Sequence, residues 1–370
     1  MIPTSPSGAP ALLLWSGLLT LAAGHRQAPA DARAQGAEPA APTADEEPAA
    51  EEPAPELSPL EGRGELVTLL HPNGEKAREG HIYKGRRDGQ WRAWHDNGAL
   101  KYEGTVEDYV RTGTWKYWRK DGSRWSEGSW WNGLRHGLWK TWYPGKEVLR
   151  EQGSFFKNIQ HGDWEFWFEN GKPSSKGQFV FGSRHGFWTT YHPDGVKFAE
   201  GEYIKGSKHG NWTRFHPSGA KMFEGSFARD EENGLWTYWF ENGQLDGRGS
   251  YIRGVLAGDW IGHFENGQQK YAVTYVDGKL HGPYVEWHKN GQKRVETTLV
   301  RGKLEGEVTF YTAEGALDLK RSGTYVKGKR QGQEGEEPDL KGRRRAPKIR
   351  EQLPGGAKAV DTPLDFDGDQ

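Results

Sequence analysis

An all-β fold, an elongated, twisted, single-layer antiparallel sheet of tandem hairpins, is what this sequence predicts. Three observations predict it. A unit typified by residues 186–209, GFWTTYHPDGVKFAEGEYIKGSKH, recurs about every 24 residues, the mark of a repeat array in which each unit touches only its neighbours. Aromatic and glycine positions recur inside each unit with the period-two alternation of strands. Turn dipeptides punctuate every unit twice, and no stretch of helical period is long enough to compete.

The units open at Gly89, Gly113, Gly137, Gly162, Gly186, Gly210, Gly234, Gly258, Gly282 and Gly306, with a degenerate unit from Gly64 and a last half-turn ending near Gly332. With the opening glycine as position zero, an aromatic stands at +2: Trp91, Trp115, Trp139, Trp164, Trp188, Trp212, Trp236, Trp260 and then Tyr284. A pair at +8/+9 reads Asn97-Gly98, Asp121-Gly122, Asn170-Gly171, Asp194-Gly195 and Asn242-Gly243; such dipeptides tolerate positive φ and close hairpins. A further glycine at +20, as at Gly133, Gly182, Gly206, Gly254 and Gly278, marks the turn into the next unit.

A hairpin centred on +8/+9 pairs positions summing to 17. One centred on +20/+21 pairs positions summing to 41. Each +15 glycine (Gly104, Gly128, Gly177, Gly201, Gly225, Gly249) then lies between two +2 tryptophans. The +17 aromatics (Trp130, Phe179, Tyr203, Phe227, Tyr251, Tyr275) face the opening glycines. Rings laid over bare backbone give the sheet one hydrophobic face. On the other face, Glu at +14 opposes +3, predicting the pairs Arg92–Glu103 and Lys116–Glu127. The +5 aromatics (Trp94, Trp118, Trp142, Trp167, Tyr191, Phe215 and Trp239) fall there too unless a bulge moves them. Two strands per unit at ~4.8 Å predict an array roughly 100 Å long.

Four segments follow from composition. Residues 1–24 read as an export signal: residues 11–23, ALLLWSGLLTLAA, are an apolar run too short to span a bilayer comfortably, followed by small residues. Residues 25–61, rich in Ala, Pro and Glu, read as a disordered acidic linker. Residues 62–332 are the array of about 11 repeats, and residues 333–370 a disordered charged tail. Within the tail, Lys341, Arg343, Arg344, Arg345, Lys348 and Arg350 precede Asp365, Asp367 and Asp369, and the ending DFDGDQ stops short of the distal Glu of a calcium loop.

Net charge is −1, which argues against a bulk nucleic-acid binder. The chain has no cysteine, which excludes disulfides, thiolate metal sites and a Cys nucleophile. Histidines precede several opening glycines (His136, His161, His185, His209, His281). Equivalent positions two strands apart lie ~10 Å from each other. One zinc ion, with bonds of ~2.1 Å, cannot bridge them, and they read as turn formers. No metal or cofactor is expected. Ser, His and acidic residues recur at equivalent places instead of converging once in a pocket, so no catalytic constellation is expected. The Gly-x-x-Gly runs sit in hairpins and are not phosphate loops.

The pattern E-G-x-Y-x-x-G-x-x-H-G-x-W at residues 200–212 resembles the MORN repeat, and most closely the bacterial variant of YwqK-type proteins, which carry an antitoxin label. The resemblance covers residues 64–332. It implies elongated β-hairpin sheets that serve as scaffolds for protein contacts, oligomerisation and, in some members, proposed membrane association. The first expectation is a non-enzymatic exported scaffold for a protein partner at the cell envelope. The partner would be held along an aromatic face or by strand addition at a sheet end. The alternatives are a carbohydrate or cell-wall binding rod, with Trp94, Trp118, Trp142, Trp167, Tyr191, Phe215 and Trp239 as stacking platforms, and a cytoplasmic immunity protein.

Overall fold

In the computed structural model, residues 60–332 are described. The expected signal segment, nearly all of the linker and the charged tail lie outside the described residues. The rest forms one open antiparallel sheet of 23 strands, from β1 (Glu65–Leu70) to β23 (Lys329–Arg330). Each strand pairs with the strands next to it in sequence, so every connection is a hairpin.

The unit opening at Gly186 shows the register. β11 (Ser183–Tyr191) pairs with β12 (Lys197–Ile204), placing Trp188 opposite Gly201 and Gly186 opposite Tyr203. β12 then pairs with β13 (Ser207–Phe215), placing Gly201 opposite Trp212. The expected glycine between two tryptophans is therefore present. The indole of the following unit rests on it: a Cβ built on Gly201 would lie 2.3 Å from Trp212, and one on Gly225 2.2 Å from Trp236. Only glycine admits a ring that close. Trp188 and Trp236 are among the most deeply buried side chains.

Both turns differ in detail from the sequence expectation. The hairpin into the next unit is centred on +19/+20, not +20/+21. At Lys205 and Gly206 both central residues have positive φ (52° and 86°), which is the I′ geometry whose twist matches the flanking strands. From that turn, Tyr203 pairs with Lys208 and Glu202 with His209, and the next pair is Gly201 with Trp212. Gly210 and Asn211 are thus two extra residues, bulged out beside the opening glycine. Consequently the +17 ring faces an opening glycine on one side only. On the other it faces position −2, counted back from the next opening glycine, here Lys208.

Beside the bulge the +2 tryptophan donates to the +16 carbonyl in most units, although Trp91 Nε1 has no partner among the described residues. Trp115 Nε1 donates to Thr105 O at 3.0 Å, Trp188 to Gln178 O at 3.0 Å, Trp212 to Glu202 O at 3.1 Å and Trp236 to Ser226 O at 3.2 Å. A buried polar atom left unpaired costs about 1–3 kcal/mol, so this bond is a reason for Trp at +2 that no other aromatic meets in the same way.

The hairpin inside the unit has a three-residue loop. In the Gly186 unit His192 and Val196 bracket it, and only Gly195 has positive φ. The pairing Tyr191–Lys197 is one residue out of step with Thr190–Ala199, so Phe198 at +12 is a bulge that restores the expected register. Because the extra residue sits on the partner strand, the +5 aromatics keep the face expected for them. Arg92 meets Glu103 at 3.5 Å as expected, but Lys116 reaches back to Glu103 at 3.3 Å instead of across to Glu127, which is held by Lys140 at 3.7 Å.

Candidate interaction surface

The sheet presents two chemically different faces. On the ring face, +2 and +17 aromatics pack edge to face, as in Tyr203–Trp212 (5.1 Å, 90°) and Phe227–Trp236 (5.0 Å, 89°). Such pairs stabilise by about 0.5–1.5 kcal/mol beyond their burial. Among the hydroxyls buried here, Tyr117 Oη accepts from Trp130 Nε1 at 3.1 Å, and Tyr238 and Tyr251 share a bond of 3.2 Å, while Ser126 Oγ has no partner among the described residues. Loss of water pushes Tyr117 and Tyr238 far above the ordinary phenol value and Tyr251 up to about 12, so all three stay neutral.

The ring face also holds cations at position −2. The Arg111 guanidinium lies 5.0 Å from the centroids of both Trp115 and Trp130. Arg135 lies 4.1 Å from Phe155 and 5.7 Å from Trp139, Arg184 lies 4.5 Å from Trp188, and Arg87 lies 5.0 Å from Trp91. Lys208 sits 4.9 Å from both Trp212 and Phe227. Burial pulls Arg135 below the usual guanidinium range and Lys208 down to about 8.

On the opposite face the +5 rings are neither bare nor lost in a core. Trp94, Trp118, Trp167, Tyr191, Phe215 and Trp239 are half-buried, and Trp142 is buried. A cation from the preceding unit covers several of them. Lys76 lies 5.6 Å from Trp94 while bonded to Glu79, and Lys221 lies 5.7 Å from Trp239 while bonded to Glu224. Arg124 lies 5.0 Å from Trp142. The structure brings these residues into one row, with a cation over Trp94, Trp142, Phe215 and Trp239.

The open aromatic surface is elsewhere, at the tips of the hairpins between units. Trp131, Phe156 and Phe181 are exposed, with Phe181 at 63%. They alternate with the histidines in a continuous ladder: Trp131–His136 at 5.6 Å, His136–Phe156 at 5.5 Å, Phe156–His161 at 6.3 Å and His161–Phe181 at 5.2 Å. Ile159 and Val110 extend it, and Lys157 lies over Trp131 and Phe156. The sequence alone marks these histidines as turn formers and assigns positions +18 and +19 no role. The available signal was the aromatic pair Trp131 and Phe156 at the strand end where aliphatic residues such as Ile204, Ile252 and Val276 stand in other units, and Phe181 at the turn position that is mostly charged elsewhere.

Two further positions were missed, and both tie one unit to the next. Asn at +8 donates to the turn carbonyl of the following unit, as from Asn97 to Lys120 O at 2.8 Å and from Asn242 to Glu265 O at 3.1 Å. The +6 side chain reaches the next +5 carbonyl, as His95 does at Trp118 O (3.1 Å) and His216 at Trp239 O (3.0 Å). No group of three or more His, Asp or Glu placed to hold a metal occurs among the described residues.

A sheet built only from stacked hairpins, with chemistry spread along it at fixed intervals, defines a repeat protein of the scaffold class. The family model of the MORN repeat variant matches this chain at residues 87–108, 160–180 and 232–253. These repeats support a repeat-based protein-interaction scaffold. No curated protein matches the chain significantly. Among solved structures, similarity is found to a chain of the crystal structure of TcdB2-TccC3-Cdc42 (9% identity, 66% of this chain and 14% of that chain, TM-score 0.14). A chain of the crystal structure of TcdB2-TccC3 is similar as well (8% identity, 66% and 14%, TM-score 0.13). This chain thus spans only about a seventh of their length, and the likeness carries no weight for fold or function.

Proposed function

We propose that this protein is a non-enzymatic, exported repeat scaffold that holds a protein partner at the cell envelope. The observation that supports the reading is the ladder of Trp131, His136, Phe156, His161 and Phe181. It is a contiguous aromatic strip whose Trp131, Phe156 and Phe181 stand exposed, while the +2 tryptophans are buried. Aromatic residues flanked by a cation are typical anchors of protein interfaces. The N-terminal apolar run supports export.

A photo-crosslinking residue placed at Phe156 or Phe181 of the mature chain is expected to trap one defined partner in envelope extracts. The same residue at Lys279, on an equivalent turn without aromatics, is expected to trap none. Replacing Trp131, Phe156 and Phe181 together with serine should abolish capture while leaving the thermal transition within a few degrees. Equal crosslinking at Lys279, or capture unaffected by the triple change, rejects the reading. A mature N-terminus found near Gly24 by mass spectrometry supports export, and an intact Met1 rejects it.

A further inference from the structure

The two ends of the sheet are finished differently. At the C-terminal end the returning chain covers β22 (Gly323–Val326): Val326 pairs with Lys329, Tyr325 with Arg330, and Gln331 N donates to Thr324 O at 2.8 Å. Arg330 also donates to Lys320 O at 2.7 Å, which closes the loop before β22 onto the last turn. A strand as short as Lys329–Arg330, made of cations, blunts an edge. At the N-terminal end β1 pairs with β2 (Lys76–Tyr83) on one side, and among the described residues no backbone group pairs with its other side. The chain entering β1 does not run along that side but comes from β3 (Arg86–Trp94). Gln90 N donates to Glu61 O at 2.7 Å, and Arg63 meets Asp88 at 2.7 Å.

β1 carries none of the residues that protect an edge. After Glu65 it reads Leu66-Val67-Thr68-Leu69-Leu70, with no proline, lysine or arginine. Leu66, Leu69 and Leu70 are 52%, 49% and 61% exposed. Val67 packs against the ring core and lies opposite Gly80, so Val67 and Leu69 belong to the ring face and Leu66, Thr68 and Leu70 to the other.

The order of these residues fits a second copy of the same strand. Thr68 is the midpoint, with Val67 and Leu69 beside it and Leu66 and Leu70 beyond. A second β1 laid antiparallel with Thr68 on Thr68 sets Val67 against Leu69 and Leu66 against Leu70, each twice. The two-fold axis then stands normal to the sheet and keeps both ring faces on the same side. Sliding the copy by two residues either way sets Thr68 against a leucine instead. Apolar cross-strand pairs and a Thr–Thr pair both favour the matched register.

We propose that β1 is a self-association edge through which two copies join their sheets head to head, with Thr68 at the two-fold axis. The edge lies apart from the hairpin-tip ladder, and neither reading depends on the other.

The test uses the mature protein, in which an introduced cysteine is the only one. Sedimentation velocity from about 1 to 200 µM should show a reversible monomer–dimer equilibrium with a constant on the order of 10 µM, as suits a small interface. Leu69→Lys should weaken it about tenfold or more, since lysine is a residue that keeps edges apart. If that variant fails to fold by circular dichroism, Leu66→Lys replaces it. Under mild oxidation Thr68→Cys should form a linked dimer readily, because directly opposed residues lie ~4.5–5.5 Å apart at Cα. Glu65→Cys should not, because in this register its two copies are ~20 Å apart along the strands. A chain that stays monomeric over this range overturns the proposal, whether its own termini or nothing occupies the edge. So does a dimer indifferent to Leu69→Lys, or equal linking of the two cysteine variants. Serine at Trp131, Phe156 and Phe181 together should leave the dimer unchanged, and a dimer lost with that change places the contact at the hairpin tips and overturns the proposal as well.

Discussion

The units from Gly89 to Gly234 and those from Gly258 onward share one backbone and fill it differently. In the first region the +2 residue is tryptophan, the residue it rests on is glycine, and position −2 is mostly a cation. In the second, Val273 stands where glycine was, between Trp260 and Tyr284. Thr297 lies opposite Tyr284, Val308 takes the tryptophan position, and position −2 becomes Leu256, Leu280 and Leu304. Leu280, Leu299, Leu304, Val308 and Phe310 are all buried there. The large ring over nothing and the medium side chain over a medium side chain fill similar space, which is what close packing at a fixed strand spacing demands. The lesson is that this sheet tolerates two cores: in the first, cations at position −2 lie over the rings, and in the second, leucines take that position.

The largest expected effect tests how much the tryptophan carries. Trp236→Ala removes a fully buried ring, reopens the glycine below it and strands Ser226 O, and should cost about 3–5 kcal/mol in denaturant unfolding. Leu304→Ala in the second region deletes a smaller side chain with no such bond and should cost about 2–3 kcal/mol. Equal costs would erase the distinction between the two cores.

A second change grafts one solution onto the other. Gly225→Val drives a side chain into Trp236 and should cost about 1–3 kcal/mol, because a Cβ at this site already lies 2.2 Å from the indole. Combined with Trp236→Tyr, which reproduces the Val273–Tyr284 arrangement, the total should fall short of the sum of the two single changes by about 1 kcal/mol. Strict additivity in that cycle would show that the two regions do not trade volume.

The smallest effect distinguishes the charged row by pH. Burial holds Lys208 down to about 8 in the fold, against 10.5 for a free lysine. The folded chain therefore releases this proton first. Between those two values the unfolded chain binds more protons, so stability rises with pH there, and the destabilisation is fully present below about pH 8. Asp230, Glu232, Arg184 and Arg214 are the charged neighbours that set the balance. Lys208→Met should flatten that rise in a comparison of unfolding midpoints at pH 8 and pH 10, and should leave Leu256 and Leu280 variants without an equivalent.

Much of the fold was legible because a repeat states its rule many times over. The glycine under each tryptophan and the opening glycine across from each +17 ring follow from where the Asn-Gly and Asp-Gly turns fall. What escaped was local: the Lys205-Gly206 turn sits one place earlier than the glycine suggested, and Gly210 with Asn211 is bulged out. No residue type marks a bulge, since glycine at position zero serves equally in a turn. The open surface escaped for a related reason. Trp131 and Phe156 end their strands and Phe181 opens a turn, so their exposure depends on how neighbouring hairpin tips stack, and the cations over Trp94, Trp142, Phe215 and Trp239 come from the preceding unit.

The sequence by itself determined the period, the strand count per unit and the ring-over-glycine pairing, because these depend on alternation and turn chemistry within one or two hairpins. The tertiary structure decided which tryptophan rests on which glycine and which carbonyl its Nε1 satisfies. Those outcomes depend on contacts between units, where a side chain about ten residues away in sequence, or on the next hairpin, competes for the same space and the same hydrogen bond.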